Sequence, residues 1–67
     1  MIRITVNGVP TRLDCPMSVA NYLEDRGYNT ARIAVELNGA ILPKARYSST
    51  ALTEADTMEV VSFVGGG

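Results

Sequence analysis

Residues 2–13 read IRITVNGVPTRL, and this stretch predicts a β-hairpin. Apolar and polar residues alternate from Ile2 to Val6, which is typical of a strand with one buried face. Asn7-Gly8 follows, and both residue types tolerate the positive φ that a type I′ turn requires. Residues 9–13 then return as a second strand. Because Pro10 has no backbone N–H, we expect this second strand to lie at the edge of a sheet.

A single helix is predicted after the hairpin. Ser18 is a favourable N-cap residue, and Val19, Tyr22 and Leu23 follow it at a helical spacing. Gly27 is typical of the position just beyond a helix, where the backbone takes a positive φ. Since no other helix is indicated, this one must cover one face of the sheet.

Further strands are predicted after the helix. Residues 33–37 alternate in polarity and predict a third strand. Asn38-Gly39 predicts a second tight turn, and residues 40–42 predict a short fourth strand. Residues 44–56 are polar and irregular, and within them we expect Leu52 to reach the core.

The last predicted strand, residues 58–64, runs directly into Gly65-Gly66-Gly67. We expect the first and last strands to be parallel neighbours at the centre, because the hairpin partner and the short strand occupy the edges. A mixed four- to five-stranded sheet with one helix on one face is the ubiquitin-like β-grasp fold, of the α+β class. The sequence therefore predicts a single domain over residues 1–67, in which residues 64–67 form a flexible C-terminal tail.

The composition argues against several classes of function. The 67 residues carry a net charge of −1 and no basic run, so they lack the electrostatic footprint of a nucleic-acid-binding protein. No apolar stretch approaches the length of a membrane span. Histidine, the commonest metal ligand and general base, does not occur in the chain. A domain of this size hardly builds a deep catalytic pocket, which favours a carrier or a binding module over an enzyme.

Several segments together form a more specific pattern. They are Asn7-Gly8, Val35-Glu36-Leu37-Asn38-Gly39, Leu42-Pro43-Lys44, Tyr47, the acidic turn that ends at Asp56, and Val60–Gly67. Through them the whole chain resembles the ThiS family, the sulfur carrier proteins of thiamine biosynthesis. Three residues depart from that family: Lys44 stands where arginine is usual, Tyr47 where tryptophan is common, and Ala55 where a turn glycine is common.

The resemblance implies a cycle on the C-terminal carboxylate of Gly67. A ThiF-like adenylyltransferase, similar to ubiquitin-activating enzymes, would use ATP and Mg²⁺ to attach AMP to this carboxylate. A persulfide sulfur from a cysteine desulfurase would replace the AMP and leave a thiocarboxylate, and a ThiG-like thiazole synthase would take the sulfur. The chain would then be a cytoplasmic protein co-substrate, monomeric when free, that binds no cofactor itself. Gly65 and Gly66 would let the tail enter a narrow site, because they carry no side chain.

The last strand also predicts a surface for these partners. We assign Met58 and Val60 to the core. Val61 and Phe63 then form an exposed apolar patch, which together with Val64 is the candidate partner-binding surface. A register shifted by one residue would bury Val61 and Phe63 instead.

Three polar or reactive residues receive structural interpretations. Cys15 is interpreted as a small buried packing residue rather than a sulfur-bearing thiol, because free cysteine is commonly buried and no histidine is present to activate it. A single cysteine also fits a reducing compartment. Lys44 and Arg46 are interpreted as part of a solvated loop.

Two alternative functions remain open at this point. The same carrier chemistry serves other destinations, such as molybdopterin, tRNA thiolation or cysteine synthesis. The short chain and the Phe-Val-Gly-Gly-Gly ending argue against molybdopterin. The other alternative is a ubiquitin-like binding or conjugating module.

Overall fold

The computed structural model describes residues 1–63, which form a five-stranded sheet covered by one α-helix. The strands are β1 (Ile2–Val6), β2 (Val9–Leu13), β3 (Ile33–Leu37), β4 (Ala40–Leu42) and β5 (Thr57–Ser62), and the helix is α1 (Val19–Asp25). Two single 3₁₀ turns lie at Thr30–Arg32 and Lys44–Arg46. The first four strands have the predicted bounds, whereas β5 begins one residue before the predicted range of 58–64 and ends at Ser62, so Phe63 lies outside the strand.

The order of strands in the sheet is β2-β1-β5-β3-β4. β1 and β5 are parallel, with Thr5 opposite Thr57 and Val6 opposite Met58, and the other neighbouring pairs are antiparallel. The first and last strands therefore occupy the centre, and the Pro10-containing strand lies at an edge. This topology confirms the predicted β-grasp fold.

Both predicted Asn-Gly turns are present. Asn7 and Gly8 have φ values of 49° and 80°, and Asn38 and Gly39 have values of 52° and 85°. Two consecutive positive φ angles are the mark of a type I′ turn, whose twist matches that of the strands it joins. The two turns therefore set the register of the β1–β2 and β3–β4 hairpins.

Helix α1 is capped at both ends by residues that the sequence singled out. The Ser18 hydroxyl accepts a hydrogen bond of 3.0 Å from the Asn21 N–H. At the other end Gly27 has a φ of 79°, its N–H donates to the Glu24 carbonyl, and the Tyr28 N–H donates to the Leu23 carbonyl. This pair of bonds is a Schellman motif, which satisfies carbonyls that the helix itself leaves unpaired.

The core lies between α1 and one face of the sheet. The irregular segment after β4 also contributes to it, through Leu52, as predicted, and through Tyr47. Backbone hydrogen bonds from Val19 to Thr50 and from Leu52 to Met17 tie this segment to the start of the helix. The buried apolar residues are Ile4, Val6, Leu13, Val19, Tyr22, Leu23, Ile33, Val35, Tyr47, Leu52, Met58 and Val60.

The interpretation of Cys15 as a buried packing residue is wrong. Cys15 is a free and exposed thiol, and its neighbours Asp14 and Pro16 are exposed as well. These residues connect β2 to the helix over the surface, where the backbone remains accessible to water. Met17, which is partly buried, is the first residue of the connection to pack against the core.

Candidate functional site

β5 divides its side chains between the core and the sheet face that the helix leaves uncovered, here called the open face. Met58 and Val60 point to the core and are 0% and 7% exposed. Val61 and Phe63 are 57% and 53% exposed. These values confirm the preferred register, so the register shifted by one residue is wrong.

Val61 and Phe63 form part of an apolar patch at one end of the open face. Ala34 lies directly opposite Val61 in the pairing of β3 with β5. Phe63 follows the last residue of β5, and its N–H still donates to the Arg32 carbonyl at 2.7 Å. Ala34, Val61 and Phe63 are called the apolar patch below, and exposed apolar area of this kind is characteristic of protein-binding surfaces.

Charged residues on the open face are arranged as like-charged neighbours. Glu36 of β3 lies opposite Glu59 of β5, next to the apolar patch. On the same face, Arg3 of β1 lies opposite Arg12 of β2. Like charges placed directly opposite each other across a sheet oppose folding. Within residues 1–63 the one ion pair joins Asp25 to Arg26, so neither carboxylate of Glu36 or Glu59 has a cationic partner there.

The remaining predicted site residues lie outside the part of the chain that the structure describes. They are Val64, the third candidate partner-binding residue, and Gly65, Gly66 and Gly67. Their predicted roles, including the reactive carboxylate of Gly67 and the flexible tail, stay predictions. What the structure supplies is the geometry of the strand that leads to them.

The start of β5 is held by the side chain of Asn38, which lies in the second Asn-Gly turn. Asn38 Oδ1 accepts from the Thr57 N–H at 2.9 Å, and Nδ2 donates to Asp56 Oδ1 at 2.9 Å. The Thr53 N–H donates to the other carboxylate oxygen of Asp56 at 2.8 Å. Asp56 is buried, and these bonds compensate the loss of water around its carboxylate.

The second half of β5 is held at Val60 by the side chain of Asn7, in the first Asn-Gly turn. Asn7 Oδ1 accepts from the Val60 N–H at 2.7 Å, and Nδ2 donates to the Val60 carbonyl at 3.2 Å. Sequence reasoning assigned both asparagines to turns alone. The signal it missed is the choice of asparagine over glycine or aspartate, because only asparagine combines a tolerance of positive φ with both a donor and an acceptor.

The acidic and cysteine side chains of the described part of the chain are not grouped as metal ligands. Within residues 1–63, no group of three His, Cys, Asp or Glu side chains is placed to hold a metal ion. Asp56, the buried charged side chain in this part of the chain, is committed to the hydrogen bonds of its turn. No helix of the described part is both long enough and apolar enough to cross a membrane.

Comparison with known sequences shows the family to which the chain belongs. The ThiS family model matches residues 4–67. The chain belongs to the ThiS family. The match includes the helix, the sheet apart from the first two residues of β1, and the residues after Phe63, and it confirms the resemblance found in the sequence.

Individual relatives and solved structures agree with this assignment. The crystal structure of the thiamine biosynthesis protein ThiS from Geobacter metallireducens superposes with a TM-score of 0.84 at 30% identity, over 98% of this chain and 100% of that one. The uncharacterized protein ycf40 of Pyropia yezoensis is 41% identical over 98% of this chain and 93% of its own length. The thiazole synthase of Paramagnetospirillum magneticum is 33% identical over 98% of this chain, which corresponds to only 20% of that protein.

Proposed function

We propose that this ThiS-family chain is a sulfur carrier for the thiazole-forming branch of thiamine biosynthesis, and that the Gly67 carboxylate carries the sulfur. The observation that carries the proposal is the family match over residues 4–67, which continues from β5 through the three glycines. The thiamine biosynthesis protein ThiS of Geobacter metallireducens, with the same fold, supports the assignment to this pathway.

The chemistry begins with activation of the carboxylate. An α-carboxyl group has a pKa of about 3.5, so at neutral pH it is an anion and a poor electrophile. A carboxylate oxygen of Gly67 attacks the α-phosphorus of ATP, pyrophosphate leaves, and an acyl adenylate forms. Glycine suits this position because the carbonyl carbon has no neighbouring Cβ to hinder the approach of a nucleophile.

Sulfur transfer then proceeds through a persulfide. The terminal persulfide sulfur attacks the acyl carbon, AMP leaves, and an acyl disulfide forms. A second thiol cleaves the sulfur–sulfur bond, which releases the thiocarboxylate and leaves a disulfide on the donor side. The ATP, the Mg²⁺ and the persulfide belong to partner enzymes, namely an adenylyltransferase and a cysteine desulfurase, and the carrier supplies the acyl group.

Thiazole synthase is the proposed acceptor of the sulfur. A segment similar to 98% of this chain makes up 20% of each of two proteins named thiazole synthase, from Paramagnetospirillum magneticum and Magnetococcus marinus. Joining a carrier to the enzyme that consumes its product raises the effective concentration of the two for each other. This observation favours thiazole formation over the other destinations of carrier-bound sulfur.

The apolar patch is the proposed docking surface for the adenylyltransferase. It lies at the end of β5 from which the chain continues to Gly67, so a protein bound there is next to the residues on which it acts. Val61 and Phe63 supply apolar area to such an interface, and Val64 is proposed to extend it.

The decisive experiment measures intact mass after the carrier is incubated with a ThiS-family adenylyltransferase, ATP, Mg²⁺, and a cysteine desulfurase with cysteine. We expect wild type to gain the mass of one oxygen-to-sulfur exchange, and a Gly67 deletion to gain none. Cys15→Ser is the matched control, because it removes the only thiol of the chain and should still load fully. Loading of the deletion variant, or loss of loading in Cys15→Ser, would contradict the proposal.

The same mass measurement on protein isolated from cells tests the alternative class of function. A conjugate to a lysine of another protein would instead indicate a ubiquitin-like modifier. Rescue of a thiamine auxotroph that lacks its own carrier, by the full-length chain and not by the Gly67 deletion, assigns the sulfur to thiazole formation.

A further inference from the structure

The two central strands differ in where they end. The Thr5 N–H donates to the Asp56 carbonyl and the Asn7 N–H donates to the Met58 carbonyl, both at 2.9 Å, so the parallel ladder advances by two residues on each strand. At Asn7 the chain turns back into β2, whereas β5 continues to Ser62. Val60 therefore reaches beyond the last backbone partner that β1 provides.

The Asn7 side chain takes the place of the missing backbone. In the ladder, the next β1 carbonyl and the next β1 N–H would pair with the N–H and the carbonyl of Val60. Asn7 Oδ1 accepts from that N–H at 2.7 Å and Nδ2 donates to that carbonyl at 3.2 Å. A side-chain amide has the same donor and acceptor groups as a peptide unit, so the ladder continues for one residue after the strand has turned away.

The opposite edge of β5 is paired with β3, and this pairing extends beyond Val60 as far as Phe63. Ser62 lies opposite Ile33 in β3, and the Phe63 N–H donates to the Arg32 carbonyl at 2.7 Å. The last part of β5 is thus held on one edge by the Asn7 amide at Val60 and on the other edge by the backbone of β3 and Arg32 as far as Phe63. Gly67 is the fourth residue after Phe63 in the sequence.

We propose that Asn7 is a positioning residue for sulfur loading: its amide fixes the direction in which the chain leaves the sheet toward Gly67. The inference rests on the proposed function, because it concerns how the Gly67 carboxylate is presented to the adenylyltransferase. Because residues 60–63 are the base from which the predicted tail starts, loss of the Asn7 contact should lower the fraction of bound carriers whose Gly67 carboxylate reaches the reacting position. Asn7 therefore acts on the turnover of the bound carrier rather than on its affinity.

The turn itself does not require asparagine. Glycine takes a φ of 49° at least as readily as asparagine, and Gly-Gly is a suitable type I′ pair. Asn7→Gly therefore keeps the hairpin and removes only the amide. Asn7→Asp keeps an acceptor for the Val60 N–H but has no donor for the Val60 carbonyl.

The test combines hydrogen exchange with adenylation kinetics. In Asn7→Gly we expect the Val60 amide to lose protection by roughly tenfold, the worth of one to two hydrogen bonds, while amides in the β3–β5 ladder such as that of Glu36, opposite Glu59, stay protected. We expect kcat for adenylation to fall by a similar factor, about tenfold, with the dissociation constant for the adenylyltransferase changed less than about twofold. Asn7→Asp should lie between wild type and Asn7→Gly in both measurements.

Asn38→Gly is the matched control. It makes the same change in the same type of turn, but its amide holds the start of β5 at Thr57, far along the strand from Gly67. It should lower stability and leave kcat unchanged at temperatures where all variants are folded. Three results would each overturn the assignment. Asn7→Gly could keep the wild-type kcat although Val60 loses protection, or it could keep the protection of Val60. Asn38→Gly could lower kcat as much as Asn7→Gly does.

Failure of the proposed function has a different signature. In that case wild type itself is not adenylated, and the positioning role is rejected as well. The exchange of the Val60 amide still reports whether the Asn7 side chain holds Val60. A loaded wild type with an unaffected Asn7→Gly variant rejects only the positioning role.

Discussion

Ala55 adopts a backbone conformation that residues with a Cβ rarely take. Its φ is 70°, in the turn just before β5, at the position where a glycine is common in the family it resembles. The turn is held against β1 by two hydrogen bonds, from the Ala55 N–H to the Arg3 carbonyl and from the Arg3 N–H to Glu54 Oε1. The left-handed conformation costs a non-glycine residue about 1–2 kcal/mol, so these contacts maintain the turn in spite of its sequence.

Replacement of Ala55 by glycine should therefore stabilise the protein. We expect Ala55→Gly to raise the free energy of unfolding by about 0.5–1 kcal/mol, since relief of the positive-φ cost exceeds the added freedom of the unfolded chain. Urea denaturation measures this change. Ala45→Gly, on the exposed 3₁₀ turn where φ is not positive, is the control and should not stabilise. A less stable Ala55→Gly would show that the turn conformation differs from the one described.

At the scale of the element, β5 combines three tasks in six residues. Its inward side chains complete the core, its backbone joins the two hairpins, and its open face carries part of the apolar patch. Asparagine side chains hold the strand near both ends. A strand fixed in this way presents Val61 and Phe63 as a preorganised surface, which reduces the entropy lost when a partner binds.

Substitution of Phe63 tests the docking surface. We expect Phe63→Asp to raise the KM for adenylation by about tenfold or more, because a central aromatic residue of an interface is typically worth above 1 kcal/mol. Stability should change by less than about 0.5 kcal/mol, since Phe63 is exposed. Val9→Asp is the control, because Val9 is 60% exposed but lies on the opposite face at the sheet edge. If the two substitutions changed KM equally, the apolar patch would not be part of the interface with the adenylyltransferase.

At the scale of the whole molecule, stability depends on how one short helix packs against the sheet. α1 has seven residues, too few to be stable alone, so it depends on the contacts of Val19, Tyr22 and Leu23 with the sheet. A domain of 67 residues has a small margin of stability, and each of these contacts is a sizeable part of it. Conditions that weaken the helix–sheet contact should therefore unfold the entire chain.

Alkaline pH is such a condition. Burial raises the pKa of Tyr22 above its ordinary value of 10.0, and the nearby Arg26 guanidinium lowers the pKa by less. The folded state therefore holds the phenolic proton of Tyr22 more tightly than the unfolded state does. The contribution of Tyr22 to the free energy of unfolding is complete below pH 10 and is lost as pH rises through the folded pKa. We expect the difference in free energy of unfolding between wild type and Tyr22→Phe to be constant from pH 7 to about 9. Above pH 10, wild type should lose stability relative to Tyr22→Phe, which has no group to ionise at this position. Parallel stability curves in urea denaturation across this range would contradict the expectation.

The sequence by itself was enough to predict the elements and their order. Strand alternation, two Asn-Gly turns, the Ser18 cap and Gly27 are local signals, because each depends on the conformations that a few neighbouring residues allow. The β-grasp topology followed from these elements, since one helix and two edge strands leave only the centre of the sheet for β1 and β5. The resemblance to the ThiS family likewise came from residues that can be read along the chain.

Only the tertiary structure decided how distant residues meet. Cys15 is exposed because its connection crosses the surface, which no local pattern distinguishes from a buried cysteine. Asn7 and Asn38 hold β5 across separations of 53 and 19 residues, and Ala55 is kept left-handed by contacts with β1. These features arise from pairing between strands that are remote in sequence, so the physical forces that set them act only once the sheet has formed.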